Sequence, residues 1–306
     1  MGTGPLHWRG DRSAASSGGS ADDTAESFKT FNVAFPGLLG RAAPLSASDM
    51  QAFTDYVLTL AYPPNPFRPL DDVPTASMAH GEMLFRTGIS DGVGSCNACH
   101  TLPTTTSGRI VLGFSFGQPM KVPHLRNEYQ KVGLFGAPAN NDHQVPAYFG
   151  GDVIRGFGLE FDGSLGSVVD FHNAFSIFDL PARTDISSFI LAIDPGLKPA
   201  VGQQVSLTPA TIDDPELTTY LTALGRADRE GHCSFVVLGG PTASPVAWRL
   251  AWGATFTTGR QADDLIDLAT LRDRLGSGRG AYGDLHASAD GGAVHPRQRR
   301  RYRFGS

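Results

Sequence analysis

The stretch Cys96-Asn97-Ala98-Cys99-His100 decides the interpretation of this sequence, because it has the C-x-x-C-H form of a covalent haem attachment site. The two thiols are one helical turn apart and can form thioethers with the two vinyl-derived carbons of a porphyrin. The adjacent imidazole then lies under the iron as its proximal ligand. The motif therefore predicts haem c bound covalently through Cys96 and Cys99, with His100 as an iron ligand.

Two other chemistries use a C-x-x-C pair, namely a zinc site and a redox-active dithiol. A zinc site needs a second pair of cysteine or histidine ligands, and the remaining cysteine, Cys233, is isolated in the sequence. A thioredoxin-like dithiol belongs in a βαβ unit, which the glycine-rich surroundings do not indicate. The sequence therefore favours haem attachment, and Cys233 is interpreted as a small buried hydrophobic residue.

Two amphipathic segments bracket the motif. Residues 79–86 (AHGEMLFR) predict a short helix that ends near Gly88, in which Gly81 allows another helix to come close. Residues 184–193 (TDISSFILAI) begin with capping residues and repeat apolar residues at helical spacing, as expected of the helix that crosses the first one. The arrangement resembles class I cytochrome c domains, which implies a mainly α haem domain with long loops.

A more specific resemblance extends over about residues 75–195. The segments KVPHLRN (121–127), FDGSL (161–165) and VVDFH (168–172) are similar to the K-x-P-x-L-R-N … H-D-G-S … L-E-x-x-V pattern of bacterial di-haem cytochrome c peroxidases, although Phe161 replaces the histidine. In that family the sixth ligand of the carboxy-terminal haem lies on the short helix after D-G-S. The resemblance implies that His172 is the second iron ligand beside His100, with Met120 as the next choice.

Four further residues near these segments are candidates for the site. His124 and His143 are also histidines downstream of the motif, and histidine or methionine is the usual sixth ligand of an electron-carrying haem. Arg126 either pairs with a haem propionate through a bidentate contact or stands in an exposed loop. Pro123 either packs beside the proximal imidazole or only fixes its own φ angle in a loop.

Residues 5–66 repeat the second half of the haem unit without a C-x-x-C-H of their own. Gly10-Asp11-Arg12 corresponds to Asp162-Gly163-Ser164, and FNVAF (31–35) corresponds to FHNAF (171–175). A helix capped by Ser46 then parallels the helix at 184–193, and its apolar face contains Met50, Phe53, Val57 and Leu60.

This repeat implies that the chain is a piece of a longer two-haem protein. The phrases at 5–12 and 55–66 look like those of large secreted bacterial proteins that fuse a β-propeller to peroxidase-like cytochrome modules. Residues 1–27 are polar and contain no signal peptide, so we expect the signal peptide and the first haem motif to lie upstream. The expected location is periplasmic or extracytoplasmic.

The carboxy-terminal third has a different pattern. Strands are predicted within 233–238 and 248–256, a helix is predicted at 263–275, and the chain from residue 280 loses its periodicity and ends in a basic run. The sequence therefore predicts four parts: a truncated cytochrome-like repeat (1–74), a cytochrome c haem domain (75–202), a small β-rich appendage (203–279) and a disordered tail (280–306).

Composition narrows the possible functions. The 306 residues include 37 glycines and 21 prolines, which fits short elements joined by ordered loops. The net charge of −5 gives no reason to expect nucleic acid as a partner, and no apolar run is long enough to span a membrane. We expect a c-type cytochrome that exchanges single electrons with a redox partner protein or another haem module. The alternatives are a fragment of a di-haem peroxidase that reduces hydrogen peroxide and a binding module with a purely structural haem.

Overall fold

The computed structural model describes residues 5–89, 94–112, 119–132, 159, 165–174, 178–208, 211, 213–239, 246–251, 265–267 and 283–288. This part of the chain is partly helical, with little strand. The chain divides into two compact units, residues 1–69 with 74–197 and residues 70–73 with 198–306. Most of the predicted repeat (1–74) therefore shares one unit with most of the predicted haem domain (75–202).

The first unit contains seven α-helices and two strands among its described residues. In chain order they are α1 (Thr24–Lys29), α2 (Ala34–Gly37), α3 (Ala47–Leu58), α4 (Ala76–Thr87), α5 (Cys96–Cys99), β1 (Ile110–Leu112), β2 (Pro119–Lys121), α6 (Val168–Ala174) and α7 (Leu180–Leu191). Short 3₁₀ helices lie at Ala14–Ser17, Thr30–Val33 and Glu128–Gln130. β1 and β2 form an antiparallel pair.

The predicted helix at 79–86 is confirmed as α4, and α4 crosses α7 at Gly81. A Cβ atom on residue 81 would lie 2.0 Å from the carbonyl oxygen of Asp185, so glycine is what allows the two backbones to approach. α7 begins at Leu180 rather than at residue 184. Its start moves by one turn because Asp179 caps the helix through the backbone N–H of Ala182 and a proline occupies the first turn.

The hydrophobic core of the first unit forms around this crossing. Phe85 of α4 and Ile186 of α7 are fully buried. The other buried members of this cluster are Leu159, Leu165, Val168, Ile190 and Ile193. The rings of Phe85 and Phe189 pack edge to face, with centroids 5.3 Å apart. Cys96 packs against the same cluster, so the core connects α4, α6 and α7 to the first residue of the haem motif.

The amino-terminal residues contain a backbone feature that recurs later in the unit. Leu6 and Arg12 form an isolated antiparallel bridge, and Leu159 and Leu165 form another with the same six-residue spacing. If Leu6 is aligned with Leu159, Gly10 corresponds in sequence to Gly163. The alignment predicted from sequence differs by one residue, because it pairs Gly10 with Asp162. After each bridge a short helix packs on a longer one, α1 on α3 and α6 on α7.

α3 begins under the predicted cap, since the Ser46 side chain accepts a hydrogen bond from the backbone N–H of Asp49. The predicted apolar face is only partly buried. Met50 is buried, whereas Phe53 is 40% exposed and Leu60 is 53% exposed. The periodicity was sufficient to predict the helix, but it could not tell which apolar residues a neighbouring element covers.

The second unit contains one helix, α8 (Pro215–Arg229), and a five-stranded sheet among its described residues. The strands are β3 (Gln204–Leu207), β4 (Ser234–Gly239), β5 (Val246–Ala251), β6 (Leu265–Asp267) and β7 (Gly283–Ser288), in the sheet order β3-β7-β4-β5-β6. All neighbours pair antiparallel except β5 and β6, which are parallel. β4 overlaps the strand predicted at 233–238, and β5 overlaps the strand predicted at 248–256.

Two predictions for this unit are wrong in part. Leu265–Asp267 is a strand rather than the start of a helix, because its backbone pairs with β5. Gly283–Ser288, inside the predicted disordered tail, pairs with both β3 and β4. The sequence prediction also missed α8, although Asp214 as cap and Pro215 in the first turn are start signals.

Candidate functional site

The motif residues form α5, a single helical turn. The turn is closed by a hydrogen bond from the His100 backbone N–H to the Cys96 carbonyl, at 2.8 Å. Cys96 and Cys99 are both half-buried, and neither belongs to a disulfide. The two thiols are therefore presented from one turn, which is the geometry that two thioether bonds to one porphyrin require.

The orientation of the His100 ring is set by backbone carbonyls. Its Nδ1 atom lies 2.9 Å from the carbonyl oxygen of Pro123 and 3.3 Å from that of Thr105. Because carbonyl oxygens only accept hydrogen bonds, Nδ1 carries the proton and Nε2 keeps its lone pair. Burial lowers the pKa of His100 below its usual value, although the two carbonyls oppose that shift. The imidazole is thus held neutral, the form that binds a metal ion.

Two loops surround this ring. They are connected by two threonines that the sequence did not indicate as site residues. Thr106 Oγ1 donates to the Val122 carbonyl at 2.7 Å, and Thr105 Oγ1 accepts from the backbone N–H of Leu125 at 2.8 Å. These bonds fix the Pro123 carbonyl beside His100. The Pro123 carbonyl therefore lies next to the His100 imidazole, and packing of the proline beside a haem ligand stays a prediction.

His172 lies on α6 and is almost completely buried, with 1% of its surface exposed. Its Nδ1 atom is 3.4 Å from the hydroxyl oxygen of Ser187 on α7, and the rings of Phe171 and Phe178 pack edge-on against it. Burial, with a smaller contribution from the positive charge of Arg183, lowers the pKa of His172 to about 4. The side chain is thus neutral at physiological pH.

Met120, the second choice for the sixth ligand, is buried on β2. No hydrogen bond or ring contact among the described residues joins His100 to Met120 or His172. The sixth ligand therefore stays a prediction. His143 and the Asp162-Gly163-Ser164 segment lie outside the described residues.

Arg126 binds backbone carbonyls in this structure, and its pairing with a haem propionate stays a prediction. Its Nη2 atom donates to the Pro195 carbonyl at 2.6 Å, and its Nε atom donates to the Asp194 carbonyl at 3.3 Å. These carbonyls belong to the segment that follows the carboxy-terminal end of α7. The guanidinium thus connects the loop that contains Pro123 to α7.

Two more side chains bind the same end of α7. Asn65 Nδ2 donates to the carbonyls of Leu191 (2.7 Å) and Ile193 (3.2 Å), and Arg68 Nη1 donates to that of Ala192 (3.0 Å). The backbone carbonyls bound by Asn65, Arg68 and Arg126 are more than 60 residues away from these side chains in sequence. No local sequence signal indicates such contacts.

His124 directly follows Pro123 in the sequence, and Val122 directly precedes it. Its Nε2 atom is 2.9 Å from the Tyr62 hydroxyl, while its Nδ1 atom is buried and has no hydrogen-bond partner among the described residues. Burial and the nearby positive charges of Lys131 and Arg126 lower the pKa of His124 to about 4. With its ring engaged by Tyr62, His124 is a neutral, packed side chain.

In the described part of the chain, no group of three or more His, Cys, Asp or Glu residues could hold a metal ion. The helices of this part include none with the length and apolar character needed to cross a membrane. No protein-family model matches the chain, and neither a curated protein nor a solved structure matches it. The candidate site is therefore defined by the chain's own residues: Cys96, Cys99, His100 and the carbonyl of Pro123.

Proposed function

We propose that this chain is a c-type cytochrome module that carries one covalently bound haem and transfers single electrons. The observation that carries the proposal is the 2.9 Å hydrogen bond from His100 Nδ1 to the Pro123 carbonyl. A metal-binding histidine characteristically donates its other ring N–H to such an acceptor, which fixes the tautomer and leaves Nε2 for the metal. In this proposal α4, α5 and α7 belong to a cytochrome c-like haem domain.

The chain's own residues have distinct tasks in this function. Cys96 and Cys99 anchor the haem through thioethers, and His100 binds the iron on the proximal side. His172 is the proposed sixth ligand, with Met120 as the alternative. When bound, haem supplies an iron atom that gains or loses one electron.

Two properties of the surroundings support electron transfer at this place. Cys96 packs on the apolar cluster around Phe85, and such a dry environment limits solvent reorganisation near the site. The pKa of about 4 for His172 keeps that imidazole unprotonated at neutral pH, as an iron ligand must be. The partner we expect is a redox protein or another haem module, in a periplasmic or extracytoplasmic compartment.

The decisive test is expression with a haem-attachment system, followed by a pyridine haemochrome assay of the unfolded protein. We expect a c-type spectrum that persists after acid–acetone extraction, because thioethers keep the haem on the chain. Cys96→Ala and Cys99→Ala should each lower or abolish covalent attachment, whereas the matched control Cys233→Ala should keep it. A colourless product, or haem that extracts fully from the wild-type chain, would contradict the proposal.

The sixth ligand is tested by two parallel variants of the haem-loaded protein. His172→Ala should convert a low-spin spectrum to a high-spin one, and Met120→Ala should leave it low-spin. The reverse result would assign Met120 as the ligand. Hydrogen peroxide consumption with an electron donor distinguishes the peroxidase alternative, since an electron carrier with two axial protein ligands should turn over negligible peroxide.

A further inference from the structure

α3 and α7 share four local features, which together define a correspondence between their residues. Each contains 12 residues and begins under a side-chain cap, Ser46 for α3 and Asp179 for α7. Each places a buried hydroxyl eight residues after its cap, Thr54 in α3 and Ser187 in α7. Each also packs on a shorter helix from earlier in the chain, α1 for α3 and α6 for α7.

The two helices differ in what covers their apolar residues. Ile186 of α7 and Ile193, just after its end, are buried in the cluster around Phe85 of α4, and Phe189 packs on that phenylalanine. The residues at the same distances from the cap of α3 are large and apolar as well, yet they are solvent-exposed: Phe53 (40%), Tyr56 (63%) and Leu60 (53%). We call these three residues the open face of α3.

Further large apolar side chains are exposed in the segment that precedes α3. Val33, Leu38 and Leu39, from the segment just before α3, are exposed to 57%, 83% and 68%. Adjoining exposed apolar residues are characteristic of surfaces that bind a partner. The aromatic rings of Phe28 and Phe35 both pack on Phe53, so the face has an ordered aromatic support.

We propose that the open face of α3 is the docking surface for an α-helix of the α4 type, with a glycine at the crossing point and an aromatic residue four positions later. The correspondence with α7 specifies this chemistry. On α7 the glycine approaches the backbone of Asp185, and Phe85, four residues after Gly81, packs on Phe189. On α3 the equivalent positions are Ala52 and Tyr56, an exposed small residue and an exposed aromatic ring.

The partner helix differs from α4 in one predictable respect. Ser77 and His80 of α4 both bind the carboxylate of Asp185, at 2.5 Å and 2.7 Å. Because Ala52 replaces that aspartate, the helix that docks on α3 does not require serine and histidine at these positions. The interaction is thus governed by shape and apolar contact, and it does not depend on haem.

The test uses the full-length chain and a fluorescent peptide with the sequence of residues 75–88. Short helices are unstable in water, so the peptide is stapled between positions 82 and 86, whose side chains are exposed and paired in α4. We expect saturable binding by fluorescence anisotropy. Gly81→Val in the peptide and Tyr56→Glu in the protein should each weaken binding at least tenfold.

Two further variants make the outcome decisive. Leu60→Glu is a second disruption of the open face and should weaken binding like Tyr56→Glu, with far-UV circular dichroism verifying that each variant is folded. Leu58→Glu is the matched control, because Leu58 is 40% exposed on another side of α3 and should change binding less than twofold. The proposal is overturned if binding is absent or is insensitive to Tyr56 and Leu60. It is also overturned if sedimentation shows that a second copy of the chain occupies the face.

Discussion

Gly81 of α4 and Asp185 of α7 are in backbone contact: a Cβ atom added to residue 81 would lie 2.0 Å from the Asp185 carbonyl oxygen and 2.9 Å from the Cβ of Phe189. The contact is reinforced by Ser77 and His80, which both bind the Asp185 carboxylate. The position of α7 relative to the haem motif therefore depends on the absence of a side chain at residue 81.

We predict that Gly81→Ala destabilises the protein. Alanine favours a helix over glycine by up to about 1 kcal/mol, but overpacking against a fixed backbone typically costs about 1–3 kcal/mol or more. The overlap here is with a carbonyl oxygen, which cannot move unless the helices separate. We expect a net loss of about 2 kcal/mol in the free energy of unfolding, measured by urea denaturation.

The control for this substitution is Met83→Ala on the exposed side of the same helix, which should change the unfolding free energy by less than about 0.5 kcal/mol. A Gly81→Ala variant as stable as the wild type would mean that the two helices are further apart than described here.

We predict that Arg126→Ala lowers stability and leaves the midpoint potential of the haem-loaded protein nearly unchanged. The arginine donates two charge-assisted hydrogen bonds to carbonyls after α7, and their loss should cost about 2 kcal/mol. Arg126→Lys, which can retain one such bond, should have an intermediate stability. If instead the potential shifts strongly while stability is unchanged, Arg126 acts on a haem propionate, as the sequence allowed.

The sequence predicted the elements whose causes are local. α3 follows from helical periodicity and from its cap Ser46, and α4 follows from its apolar residues and the stop signal at Gly88. The C-x-x-C-H motif likewise requires only one turn of helix. The start of α7 was misplaced because Asp179 and Thr184 are both adequate cap residues, and the helix uses the earlier one.

What the sequence could not predict depends on partners far away in the chain. Arg126 binds carbonyls 68 and 69 residues downstream, a choice that only the folded loop determines. Phe53 was expected in a buried face, and its exposure depends on whether another helix covers α3. β7 lies in a segment without strand periodicity, and its pairing partners, β3 and β4, supply its order.

We predict that His124 makes the protein less stable as the pH falls from about 6.5 to about 4. Burial lowers the pKa of this histidine in the folded protein to about 4, from 6.5 in a model peptide. Between these values the unfolded chain binds a proton that the folded chain does not, so acid favours unfolding. The full effect is on the order of 3 kcal/mol, lost as the pH falls and present above pH 6.5.

Urea unfolding of the haem-loaded protein at pH 7, 6, 5 and 4 measures this dependence. His124→Gln removes the titrating group and should flatten the decline relative to the wild type. Tyr62→Phe removes the hydrogen bond to His124 but leaves the ring enclosed, so the decline should persist in that variant. An unchanged slope in His124→Gln would show that another group causes the acid sensitivity.

We predict that the haem-loaded protein contains one titratable thiol and that unfolding is needed to expose it. Cys233 is buried, and burial together with the negative charge of Asp228 raises its pKa to about 12, so its thiolate is scarce at pH 8. Cys96 and Cys99 are consumed as thioethers in the proposed function.

Ellman's reagent should therefore detect no fast-reacting thiol in the native protein and one thiol after unfolding in guanidinium. It should detect no thiol in the unfolded Cys233→Ser variant. The polypeptide expressed without haem should give three thiols when unfolded, and the same count from the unfolded haem-loaded protein would mean that no thioether has formed.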